Sequence, residues 1–251
     1  MNEHIAAVGA GLVGSGWAIV FARAGYTVRV FDASDAIRER LPAQLRASLE
    51  AMQEHGLLSD VDAIMARIEV CDDLASAVSG ACYVQESVVE RVELKREVSA
   101  GIDRHLGPEA IVGSSTSGLP ASSFTGDCAN RARFVVAHPV NPPHLVPVVE
   151  IVPAPWTDPD TVTRTRDLME RVGQAPVIVT REVPGFILNR LQGALLDEAW
   201  SLFDQGYATA EDIDRTIKFG LGLRWSFMGP FETIDLNAPL GIDDYARRLG
   251  P

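Results

Sequence analysis

The chain has 251 residues, 47% of them apolar and 22% charged, with a formal net charge of −12. That length and balance suit one large or two modest globular domains with a proper core. The acidic excess, with Lys95 and Lys218 as the only lysines, argues against nonspecific nucleic-acid binding and against docking on anionic membranes.

The first predicted strand, Ile5 to Val8, runs directly into Gly9-Ala10-Gly11-Leu12-Val13-Gly14. Apolar residues at helical spacing follow (Leu12, Trp17, Ala18, Phe21, Ala22), and Gly25 stops them. Val28-Arg29-Val30-Phe31-Asp32 then reads as a strand ending in an acid. Strand, G-x-G-x-x-G turn, helix and strand with a terminal acid form the dinucleotide-binding fingerprint in its full context. Gly9 permits the tight turn, Gly11 lets backbone approach a pyrophosphate, and Gly14 lets helix and strand pack closely. With Leu12 and Val13, the helix start offers unpaired N–H groups and a positive dipole end to the phosphates. Asp32 is placed to accept from the adenosine ribose hydroxyls and would repel a 2′-phosphate, favouring NAD over NADP. The bland alternative is a glycine turn in an α/β protein that binds something else.

Ile5 to Ala22 carries no charge, which raises a membrane span or a signal peptide. The glycine motif inside it is the better explanation, and Glu3 stands where a signal peptide carries basic residues. A cytoplasmic protein is expected. Cys71, Cys82 and Cys128 are odd in number and lack C-x-x-C spacing, so they read as reduced packing residues rather than ligands.

Ser34 to His55 is predicted helical, with apolar positions Ile37, Leu41, Leu45, Leu49 and Met52 and a stop at Gly56. A second helix, starting at Ser59 and ending at Arg67, completes a helical hairpin between the second and third strands. Further strands are predicted at 68–70, 82–85, 110–113, 134–137, 148–152 and 177–179, with helices around 93–103 and 161–172 between them. Such alternation predicts an α/β fold of Rossmann type with a mostly parallel sheet. At Val183-Pro184-Gly185 the character changes. Pro184 suits the first turn of a helix, a long helix is predicted over 186–205, and Thr209-Ala210-Glu211-Asp212 resembles a capping box. A smaller all-α domain over 183–251, for substrate and dimerisation, is expected after an NAD-binding domain over 1–182.

His138 closes an apolar strand, and Glu150 lies in the apolar run Val148 to Val152. A buried carboxylate needs a partner, and the ends of two adjacent strands can meet. A His–Glu dyad beside a nicotinamide would serve alcohol oxidation, because imidazole can take the hydroxyl proton and a carboxylate can fix its tautomer. From spacing alone, the other reading is a strand-end histidine beside an exposed glutamate. Gly113-Ser114-Ser115-Thr116-Ser117 follows an apolar strand, which puts its hydroxyls at the carboxyl edge of the sheet or in a solvated loop. Asn189 falls in the first turns of the long helix, where Asn needs a contact: either a ligand or an inter-domain hydrogen bond. His138 and His144 lack a Cys or carboxylate cluster, so no metal is assigned.

These segments together resemble the 3-hydroxyacyl-CoA dehydrogenase superfamily, and within it the lambda-crystallin branch, the L-gulonate 3-dehydrogenases. The resemblance runs from about Ile5 to Asn237. It rests on Ser114-Ser115-Thr116-Ser117, on Ala137-His138-Pro139-Val140-Asn141-Pro142-Pro143, on Val149-Glu150-Ile151-Val152 and on Gly185-Phe186-Ile187-Leu188-Asn189-Arg190. The stretch from Gly220 through Trp225 to Thr233 is also typical of the branch. It implies that His138 is the general base and Glu150 its carboxylate partner. Ser117, at both cofactor and substrate, and Asn189 would hydrogen-bond the reacting oxygen or the base. Glu90 and Lys95 would contact the nicotinamide ribose side, and Asn141 would lie near the nicotinamide. Members of this branch usually continue with more helix beyond the position of Asn237, so a short or truncated chain is expected.

Acyl-CoA members use the helical hairpin to help hold CoA. Here, 34–70 contains Arg38, Arg40, Arg46 and Arg67 against Asp35, Glu39, Glu50, Glu54, Asp60, Asp62 and Glu69. That excess of acid is a poor host for CoA phosphates. A small sugar acid needs a cation instead, and a guanidinium suits a carboxylate. Arg224 either faces that carboxylate or braces a domain or dimer interface. The leading expectation is NAD-dependent oxidation of the 3-hydroxyl of a small hydroxy acid, L-gulonate first, by a homodimer that binds neither nucleic acid nor membrane. L-carnitine and a short-chain 3-hydroxyacyl-CoA are alternative substrates, and a non-catalytic, crystallin-like NAD-binding protein is the reading of another class.

Overall fold

Strand β1 (His4–Val8) is buried along its whole length. Its side chains alternate between two cores: Ile5 and Ala7 join one apolar cluster and Ala6 and Val8 another. A strand covered on both faces reads as a continuous apolar run, which is why Ile5 to Val8 shows no polar alternation. The computed structural model describes residues 4–249, which fall into two compact units, the first ending at Leu188 and the second beginning at Asn189.

In the first unit, β1 is followed by α1 (Leu12–Arg23), β2 (Thr27–Phe31), α2 (Asp35–Glu54), α3 (Val61–Met65), β3 (Ile68–Val70), α4 (Leu74–Val78), β4 (Ala81–Glu86) and α5 (Val92–His105). Then come β5 (Ile111–Ser114), β6 (Phe134–Pro139), β7 (Val148–Pro153), α6 (Pro159–Arg171) and β8 (Ala175–Ile178). One eight-stranded sheet has the order β3-β2-β1-β4-β5-β6-β7-β8. The first six strands pair in parallel; β7 runs antiparallel to β6, and β8 parallel to β7. The predicted Rossmann-type, mostly parallel sheet is what the molecule has.

Trp17 and Phe21 of α1, Leu41, Leu45 and Leu49 of α2, and Leu168 and Met169 of α6 share the cluster on one face of the sheet. Val78 of α4 and Ile102 of α5 share the cluster on the other. The Leu41, Leu45, Leu49 spacing keeps one stripe of α2 inward. Short α4 is a helix the sequence reading missed, since five residues are too few to show periodicity. Asp73 starts it by accepting from the Ser76 N–H. The helix expected from Ser59 begins at Val61 instead, because Asp60 caps it by accepting from the Ala63 N–H.

The helix predicted from Phe186, with Pro184 in its first turn, starts later. Gly185 and Phe186 have φ of +75° and +49°, a left-handed conformation that cannot enter an α-helix. The chain therefore turns at 184–187, and α7 spans Leu188–Asp204. The second unit continues with α8 (Ala210–Thr216), a π-helical turn (Ile217–Leu221), α9 (Gly222–Trp225), α10 (Pro230–Asn237) and α11 (Ile242–Leu249). Thr209 starts α8, its Oγ1 accepting from the Asp212 N–H. Among the described residues, no helix is long and apolar enough to cross a membrane.

Candidate active site

The glycine turn joins β1 to α1 at the carboxyl edge of the sheet. Gly9 has φ +92°, and a Cβ there would stand 2.7 Å from the Ser87 backbone. A Cβ on Gly14 would fall 1.8 Å from the Gly9 carbonyl oxygen, so both positions exclude any side chain. At Gly11, by contrast, nothing lies within 4 Å of an added Cβ, leaving room for a phosphate. No side chain caps the N-terminus of α1, and no acid sits in its first turn, so its first N–H groups and dipole are open to an anion. The amide of Leu12 belongs to this turn while its side chain is exposed, and Val13 is half-buried against the core.

Asp32 lies just past β2. Its Oδ2 accepts from the Ala10 N–H at 2.8 Å and its Oδ1 from the Ser34 N–H at 2.9 Å, which locks the carboxylate beside the turn. A 330 Å³ cavity lies alongside, lined by Gly9, Phe31, Asp32, Ile37, Ser87 and Val89 among others. Open amides, an apolar cavity and a fixed acid at its rim match the phosphates, adenine and ribose of NAD.

Glu86 ends β4 and is 1% exposed, as is Lys95 of α5. The Lys95 ammonium donates to both Glu86 oxygens, at 2.9 and 3.1 Å, and lies 3.5 Å from Glu90. Ser114 Oγ and the Val88 N–H also donate to Glu86. Glu90 Oε1 gathers Thr116 Oγ1 at 2.6 Å and the N–H groups of Ser117 and Gly118 at 2.9 and 3.1 Å. Burial pushes the Glu90 carboxyl up, but these donors and the Lys95 charge outweigh it and hold it below the ordinary range. Glu90, Lys95 and Ser117 are thus brought together, with Lys95 buried behind Glu90 and Ser117 exposed. Glu86 escaped the sequence reading, which ended β4 one residue early; an acid closing an apolar strand was the available signal.

His138 and Glu150 are cross-strand partners in the antiparallel β6–β7 pair. Both are buried, at 6% and 2% exposure, and His138 Nδ1 lies 2.8 Å from Glu150 Oε2. The other oxygen, Oε1, accepts from the N–H groups of Ile187 and Leu188 at 2.7 and 2.9 Å. Burial pushes the Glu150 carboxyl up; the bonds from His138, Leu188 and Ile187 more than offset this, leaving it below the ordinary range. An ionised carboxylate only accepts, so Nδ1 carries a proton, and in the neutral imidazole Nε2 presents its lone pair. Phe186, fully buried, packs its ring 5.5 Å from the imidazole. Phe186 and the two N–H groups went unforeseen, because the predicted helix ran through them.

Asn141 is exposed in loop 140–147, between β6 and β7. In the same loop, His144 packs its Nδ1 against α1 near Gly16. Asn189 directly follows Leu188 and opens the second unit, in which Arg224 lies exposed in α9.

The sequence signature of the 3-hydroxyacyl-CoA dehydrogenase NAD binding domain matches residues 4–183, and that of the family's C-terminal domain matches 185–250. The lambda-crystallin homolog of Bos taurus is 43% identical over 98% of this chain and 77% of its own length. The L-carnitine dehydrogenase of Burkholderia mallei is 39% identical over 99% of this chain and 77% of its own. Among solved structures, 5-formyl-3-hydroxy-2-methylpyridine 4-carboxylic acid 5-dehydrogenase, described as an NAD-dependent dismutase, superposes with a TM-score of 0.85 at 35% identity, covering 95% of this chain and 77% of that one. With its glycine turn, its His–Glu pair and both signatures in place, this chain belongs to the 3-hydroxyacyl-CoA dehydrogenase family, in the lambda-crystallin branch, and is an NAD-dependent dehydrogenase.

Proposed function

We propose that the protein oxidises the 3-hydroxyl of a small hydroxy acid, with L-gulonate as the first choice. The carrying observation is the buried His138–Glu150 pair, whose proton arrangement leaves Nε2 as a base. In this reading Nε2 takes the hydroxyl proton, and Glu150 stabilises the imidazolium that results. Bound NAD supplies the acceptor for the hydride leaving the same carbon. Ser117 and Asn189 orient the reacting oxygen, Glu90 and Asn141 meet the nicotinamide side, and Lys95 holds Glu90.

A free acid is favoured over a CoA ester by the state of the hairpin arginines. Of the four, Arg38 is ion-paired with Asp35 and Arg46 with Asp62, Arg67 donates to the Ala63 carbonyl, and Arg40 is exposed. Two neutralised cations among seven acids make a weak host for CoA phosphates. Arg224 is assigned to the substrate carboxylate. Replacing it with Met is expected to raise KM for a carboxylate substrate about tenfold or more, and an unchanged KM removes that assignment.

Substrate choice is tested by following NADH formation with L-gulonate, L-carnitine and 3-hydroxybutyryl-CoA, beside a His138→Ala control. Turnover of L-gulonate alone, lost in the control, supports the reading. Preference for L-carnitine, which similarity to carnitine dehydrogenase supports as the second reading, or for the CoA ester overturns it. We also propose a homodimer, supported by the aromatic side chains the second unit exposes.

A further inference from the structure

Beneath the glycine turn lies a chain of polar side chains that none of the roles above uses. Tyr83 Oη is 2.7 Å from Gln85 Oε1; Gln85 Nε2 is 2.7 Å from Ser115 Oγ and 3.3 Å from the Ala137 carbonyl oxygen. Trp17 Nε1 reaches the same Ser115 Oγ at 3.1 Å, and Ser115 Oγ lies 2.8 Å from Ser87 Oγ.

Donor counting sets the direction of every link. A carbonyl only accepts, so Ala137 requires the Gln85 amide nitrogen on its side, which points Oε1 at Tyr83. Tyr83 must then donate, and burial pushes its phenol up, keeping the proton on. Gln85 Nε2 spends its two hydrogens on Ala137 and Ser115. Indole nitrogen can only donate, so Trp17 takes the second lone pair of Ser115 Oγ. With both lone pairs filled, Ser115 must give its own proton to Ser87. Ser87 Oγ therefore accepts from Ser115 and keeps an O–H of its own, for which the described residues offer no acceptor.

The position of that O–H is narrow. The Ser87 backbone approaches within 2.7 Å of where a Gly9 Cβ would stand, and its Cβ lies 3.4 Å from where a Gly14 Cβ would stand. Ser87 is thus wedged between the first and third glycines of the turn, half-buried, and lines the cavity together with Gly9 and Gly11. We propose that Ser87 is a cofactor-binding residue whose hydroxyl donates to a diphosphate oxygen of the dinucleotide, held in donor polarity by Trp17, Gln85 and Ser115. The proposal rests on NAD binding and not on the identity of the hydroxy acid.

Calorimetric titration without hydroxy acid tests it, using NAD, ADP and adenosine as ligands and Ser87→Ala and Ser87→Cys as variants. The Cys variant keeps the shape and weakens the donor, so it serves if the Ala variant folds poorly. A hydrogen bond to a charged oxygen predicts about tenfold weaker binding of NAD and ADP in both variants, with adenosine affinity unchanged. Unchanged ADP affinity in either variant overturns the proposal, as does an equal loss with adenosine, since that places the contact away from the diphosphate.

Discussion

Glu150 divides its oxygens between His138 on one side and the backbone of Ile187 and Leu188 on the other. A carboxamide satisfies one side only: turned to accept from the two N–H groups, it points its own NH2 at His138 and reverses the tautomer. Glu150→Gln is therefore expected to lower kcat about 10³–10⁴-fold with little change in NAD affinity, a loss of the size seen when a base is held in the wrong tautomer. Equal kcat would remove His138 as the base. The same carboxylate gives a stability signature. Its folded pKa is depressed, so its contribution is fully present above the unfolded value of about 4.3 and is lost as pH falls through the lower folded value. Urea midpoints measured from pH 6 downward should show the gap between wild type and Glu150→Gln closing in that acid window. A gap that stays constant with pH would mean that folding leaves the Glu150 pKa unshifted. Of these groups, His138 and Glu150 were legible in the sequence because each stands out in an apolar strand. Their partners at 187 and 188 were not, because backbone N–H groups leave no trace in side-chain pattern.

Strands and turns add constraints that no single side chain reveals. Gly113 of β5 reads as an ordinary strand glycine, yet a Cβ there would stand 1.9 Å from Tyr83 Oη on β4. Gly113→Ala must push Tyr83 aside and disturb the Gln85 bond at once, a cost of about 1–3 kcal/mol for overpacking. A thermal midpoint unchanged from wild type would refute it. Strand positions were legible because β1, β4 and β6 are apolar runs bounded by turn residues. The entry to α7 was not: Pro184 is as compatible with a tight turn as with a helix start, and only the left-handed backbone at Gly185 and Phe186 decides between them.

On the scale of the whole molecule, the second unit exposes Trp200, Phe203, Phe219, Phe227 and Phe231, each by more than half. Where such side chains join into one patch, they mark an interaction surface. Sedimentation equilibrium is expected to return twice the 27.1 kDa chain mass, and a monomer at micromolar concentration would contradict the proposed homodimer. That the chain beyond 183 is helical was readable from the helix predicted over 186–205 and the capping-box-like start at Thr209; which face meets a partner was not, since spacing carries no information about one. The antiparallel turn-back of β7 has a further consequence. His138 faces Glu150 through the ladder itself, and shifting that ladder by one residue would throw the acid to the opposite face. The segment 140–147 that joins the two strands is under no such demand. Apart from Asn141, assigned above to the nicotinamide side, and Pro143 and His144, which pack against α1 near Gly16, its residues can change while the base stays where it is, so what the loop recognises is separable from how the site reacts.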